Sequence, residues 1–170
     1  MVQSSKEPMD SELLSLAQHY GMPTRLLDWT SNALTGLWFA VASDLPEEEE
    51  HGVVWVINNP DVKKFSTEDN IFSLDRTYFF RLSHLDRRIA AQFAWLSIQR
   101  PGSNRKFLPL EDHEKFRNRL KKYIIPGDQF NLIRKELRDL GINHATLFPD
   151  LSGLSADIEV EIMDSWRSIS

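Results

Sequence analysis

A chain of 170 residues with 41% hydrophobic and 26% charged content fits one globular domain, residues 1–170, long enough to bury a core. Its net charge is −5, and Glu47 to Glu50 alone carry −4 of it, so the remainder offers no general basic surface for nucleic acid. Cysteine is absent, which excludes a disulfide scaffold, a Cys-based zinc site and a thiol nucleophile. No apolar run reaches the roughly 18 residues of a membrane span, and Met1 opens a polar segment rather than a signal peptide, so the expected location is the cytoplasm with no membrane contact.

Residues 1–9 read as a flexible polar leader. Asp10 is placed to cap a helix to about Tyr20, with Leu13, Leu16, Ala17 and Tyr20 on one face. Gly21 suits the left-handed position that closes it, and Pro23 prevents continuation. Arg25 to Thr30 read as a polar turn, with Thr30 or Ser31 as N-cap of a second helix. There Leu34, Leu37, Trp38 and Val41 repeat at helical spacing, and Asp44, Pro46 and the Glu run end it in a loop.

From Gly52 the pattern turns to strand, with Val53 to Ile57 bounded by Asn58-Asn59-Pro60. Residues 60–76 read as irregular. Tyr78 to Phe80 form a second strand, His84 to Gln92 a short helix and Phe93 to Gln99 a third strand. A loop over 100–104 precedes a helical stretch, Asp112 to Arg119, and a fourth strand, Lys121 to Ile125. Asp128 is then expected to cap a helix with Phe130, Ile133, Leu137 and Leu140 inward, closed by Gly141. Residues 142–150 form a connector before a last helix from about Leu151. The expected fold class is α+β, a small mixed or mostly antiparallel sheet flanked by helices. Arg117, Arg119, Lys121 and Lys122 read as a solvated face.

The most informative stretch is AQHYGMPTRLLDWTSNALTGLWFAVASD, residues 17–44. With GVVWVIN, RRIAAQFAWLSIQ, KKYIIP and LGINHATLFPDLSGLSADI following in order, the chain resembles the FRG domain, a bacterial and phage family without a settled biochemical function. The family is named for a (Phe/Tyr)-Arg-Gly motif on an early strand, and no Arg-Gly dipeptide occurs here. Ala94 stands where the family usually carries Gly. The resemblance therefore implies the C-terminal two-thirds of the domain. It implies, more distantly, the layout of ADP-ribosyltransferases, in which NAD lies in a cleft, a first-strand Arg or His holds the dinucleotide and a late Glu or Gln orients the ribose. Carried over, the polar turn is Asp28, Trp29 and Thr30, and the late amide is Gln92.

Each candidate has two readings. Arg25 and Asp28 form either an anion-holding pair ahead of a helix N-terminus or a structural ion pair. His19 is either a general acid or base or a partner for the last carbonyls of its helix. Trp29 stacks on a flat ligand or packs in the core. Thr30 suits an N-cap better than a nucleophile. Gln92 orients a ribose hydroxyl or makes a core hydrogen bond. Asp150 suits a helix cap. His51, His84, His113 and His144 are scattered, so no metal site is expected.

Two functions follow. The first is an NAD-using transferase or glycohydrolase, or a nucleotide-binding descendant, with Gln92 and His19 catalytic, Arg25, Asp28, Trp29 and Thr30 on the substrate, and NAD as substrate. Without the Arg-Gly strand it is expected to be inactive alone. The alternative is a non-catalytic interaction or regulatory module of a phage or bacterial defence system, or a truncated inactive domain. In that case an open sheet edge would take a protein partner or a second copy of the chain.

Overall fold

The computed structural model describes residues 10–43, 51–66, 68–82, 87–100, 107 and 109–167. In chain order its elements are α1 (Asp10–His19), β1 (Leu26–Thr30), α2 (Ala33–Val41), β2 (His51–Ile57), β3 (Tyr78–Phe80), α3 (Arg87–Ala91), β4 (Ala94–Ile98), α4 (Glu114–Arg117), β5 (Leu120–Pro126), α5 (Phe130–Asp139), α6 (His144–Leu147) and α7 (Leu151–Arg167). Short 3₁₀ turns precede α4 and α5, at Leu110–Asp112 and Gly127–Gln129. The class is α+β, with two small antiparallel sheets ordered β1-β4-β3 and β2-β5. The expected loops at 44–50 and 101–104, the 1–9 leader and the start of the His84 helix lie outside the described residues.

The described residues group into two compact units. The first takes those of 1–29, 57–84 and 95–119. Its core is Leu26, Phe65, Ile71, Phe80, Leu96 and Ile98, with Leu14, Leu74, Tyr78 and Leu82 packed against it. β3 and β4 pair with Tyr78 opposite Ile98, Phe79 opposite Ser97 and Phe80 opposite Leu96. Phe79 and Phe80 are both buried, so β3 is covered on both faces. Phe80 meets the Phe65 ring edge-on at 5.0 Å, and Phe79 meets Trp29 at 5.3 Å. On its other side β3 is paired as well: Phe79 N–H donates to Asp61 and its carbonyl accepts from Lys63, both at 2.9 Å.

The second unit takes the described residues of 30–56, 85–94 and 120–170. Trp38, Val41, Phe130, Leu137 and Leu147 form its core, with Ile125, Ile133, Ile142 and Phe148 around them. α2 packs on α5, and α6 packs on α7 and α3. Gly141, at φ +79°, closes α5 as expected: its N–H returns to Arg138 and that of Ile142 to Leu137, a left-handed cap that satisfies late carbonyls.

Several expectations are corrected. Leu26–Thr30 is a strand, not a turn, and joins β4 as sheet partner. The N-cap of α2 is Asn32, whose side chain accepts from Leu34 N–H at 3.0 Å, rather than Thr30 or Ser31; β1 runs through Thr30, so the helix can begin only beyond it. Asp128 lies inside the 3₁₀ turn and does not cap α5. Leu140 points outward, as do Leu13, Leu16 and Tyr20 of the first helix and its end. α1 instead buries Ser11 and packs Leu14 inward. Phe93 leaves the strand for a turn at φ +50°. The 142–150 connector contains α6, entered through an Asn143–Thr146 capping box.

Candidate functional site

Within the first unit the Arg25–Trp29 segment is fixed from three directions. Arg25 Nη1 donates to the Gln99 carbonyl at 3.3 Å and Nη2 to the Ile71 carbonyl. The guanidinium lies 5.6 Å from the centre of the Phe72 ring. Its Nε is buried without a hydrogen-bond partner, and burial pulls the guanidinium below its ordinary pKa.

The expected Arg25–Asp28 pair does not form among the described residues. Asp28 lies on β1, whereas Arg25 stands at the bend that precedes it. Asp28 instead accepts from the Gln18 amide at 3.0 Å. Gln18 in turn accepts from the Thr24 hydroxyl, and Thr24 caps Leu26 N–H at 3.1 Å. Desolvation raises the Asp28 carboxyl above its usual range, and the Gln18 bond pulls the other way.

Trp29 donates its indole N–H to Ser97 at 2.9 Å. His19 is exposed at the end of α1, its ring edge-on to Tyr20 at 5.4 Å.

Within the second unit the structure brings Thr30 and Gln92 together. The Thr30 hydroxyl donates to the Gln92 main-chain carbonyl at 2.7 Å and accepts from Asn32 N–H at 3.0 Å. The Gln92 amide donates to the Leu147 carbonyl at 3.2 Å.

Arg88 lies on α3. It reaches Asp150 at 2.7 Å through Nε and lies 5.4 Å from the Phe148 ring centre. Asp150 also accepts from the N–H groups of Ser152 and Gly153, both at 3.0 Å, so it caps α7 as expected. The Ser152 hydroxyl, the Gly153 N–H and Arg88 together hold its carboxyl well below the usual range. The RRIAAQ and LFPDL blocks carried this pair in sequence, but nothing in their spacing joined them.

No group of three or more His, Asp or Glu able to hold a metal ion occurs among the described residues. Among these residues no helix is long and apolar enough to cross a membrane.

Residues 1–49 match the FRG domain. That match contains α1, β1 and α2, and with them His19, Arg25, Asp28, Trp29 and Thr30. No curated protein and no solved structure matches the chain.

Proposed function

We propose that this chain is a non-catalytic interaction module, in which the polar residues of its FRG-like stretch hold the fold rather than a substrate. The observation that carries this reading is the set of bonds at Trp29, Thr30 and Gln92. The indole N–H, the hydroxyl and the amide donor each have a partner inside the chain. A substrate would have to break those bonds and leave buried partners unsatisfied. Incubation with NAD, followed by assay of released nicotinamide and by calorimetric titration, tests it. The reading expects neither release nor binding, and either signal overturns it.

A second reading, binding of NAD or a related nucleotide, is favoured by one feature. Arg25 has no carboxylate partner among the described residues, and Asp28 has no cationic one. A guanidinium lacking a counter-ion suits a phosphate group. In the same titration, NAD binding that is lost in Arg25→Gln would establish this alternative.

A further inference from the structure

α7 leaves much of its apolar surface exposed. Its inward side carries Gly153 and Asp157, both buried, with Ala156 and Val160 half-buried beside them. A Cβ at Gly153 would overlap the Phe148 main chain, and Asp157 faces Arg138 at 3.4 Å. The opposite side carries Leu151, Leu154, Ile158 and Ile162, exposed by 84%, 48%, 47% and 46%. At the helical repeat these four fall within an arc of about 80°, a continuous apolar stripe rather than scattered side chains. Such stripes on a surface mark association sites.

The stripe also has a charged border. Glu159 and Glu161 follow it on its two sides. Arg138 is 3.6 Å from Glu161 but is shared with Asp157, one cation for two carboxylates. The border is therefore acidic.

We infer that the outward face of α7 docks a basic amphipathic helix from a partner protein; this rests on the interaction-module reading. Charge selects that occupant. A second copy of α7 would bring the same carboxylates together, whereas a stripe flanked by Lys or Arg would meet them with opposite charge.

The test uses the full chain and two synthetic helical peptides of about 20 residues. Both carry Leu at the matching spacing, one flanked by Lys and the other by Glu. The Lys-flanked peptide is expected to bind, and to bind more weakly as salt rises. Ile158→Glu is expected to weaken it about thirtyfold or more, as loss of a central anchor does. The thermal unfolding midpoint should hold; if it falls, Ile158→Ala with Leu154→Ala replaces that variant.

Equal binding of both peptides, or binding of neither, overturns the proposal. So does a dimer of the chain alone that Ile158→Glu dissociates, because the occupant is then a second copy. Absence of peptide binding removes this surface alone, whereas released nicotinamide removes the reading beneath it.

Discussion

The Trp29 indole N–H donates to the Ser97 hydroxyl at 2.9 Å, tying the end of β1 to a fully buried position of β4. Ser97→Ala keeps the packing and leaves the indole N–H without a partner, so it should cost about 1–3 kcal/mol in urea unfolding. Trp29→Phe loses the same bond. The double variant should cost less than the sum of the single changes by about 1 kcal/mol, the coupling expected of partners in contact. Strict additivity would show that the bond contributes nothing to stability.

Asn32 holds the first turn of α2 through Leu34 N–H. Asn32→Ala should lower stability by about 1 kcal/mol, and Asn32→Ser or Asn32→Asp should largely restore it. Thermal unfolding of the four proteins side by side checks the cap. A serine variant no better than alanine would place the effect elsewhere.

Asp69 and Asp28 should respond to acid with opposite signs. Asp69 bonds Lys63 at 2.7 Å, and Lys63 with the Ser66 backbone and hydroxyl pulls its carboxyl down to about 2. A depressed folded pKa contributes stability above the unfolded value of about 3.9, lost as pH falls toward 2. Titration followed by NMR should find Asp69 near 2, and Lys63→Met should return it toward the ordinary value.

Asp28 is raised by desolvation, so its contribution is fully present below the unfolded pKa and is lost as pH rises through the folded one. Asp28→Asn, which keeps an acceptor for Gln18, should therefore be at least as stable as the parent at neutral pH. That advantage should vanish in acid. Destabilisation at pH 7 would mean the carboxylate itself is needed.

Gly153 sits where a Cβ would overlap the Phe148 carbonyl and Cβ and come within 2.9 Å of the His144 carbonyl. Backbone cannot yield there as a flexible side chain would. Gly153→Ala should cost about 2 kcal/mol or more. Gly141→Ala meets no atom within 4 Å, but its φ of +79° should still cost about 1 kcal/mol. Urea unfolding should rank Gly153→Ala as the worse of the two.

The elements with strong periodicity were readable from sequence: α1, α2, α5 and α7, and the β-branched or aromatic runs of β2, β3, β4 and β5. β1 was hidden because Arg25, Asp28 and Thr30 give it the polarity of a turn, and only pairing with β4 makes LLDWT a strand. α6 has four residues, too few for a period, although Asn143 and Thr146 carried its capping signal. Periodicity found apolar stripes on α1 but not the side that docks, since Ser11 and Leu14 turn inward while Leu13 and Leu16 do not. The candidate residues were findable as a polar block. Their bonds to Ser97, Gln99, Ile71 and Leu147 were not, because each partner is remote in sequence and chemically ordinary.

The Arg25 brace also sets an order of events in folding. It joins residue 25 to carbonyls 46 and 74 positions away, and Leu26 packs among Phe65, Ile71, Phe80, Leu96 and Ile98. These are non-local contacts, whose loop-closure cost must be met before any of them stabilises the chain. On a ribosome, β1 must therefore wait until β4 has emerged. A nascent chain stopped at residue 49 holds the whole FRG-like stretch but lacks Ile71, Gln92, Ser97 and Gln99, the remote partners of Arg25, Trp29 and Thr30.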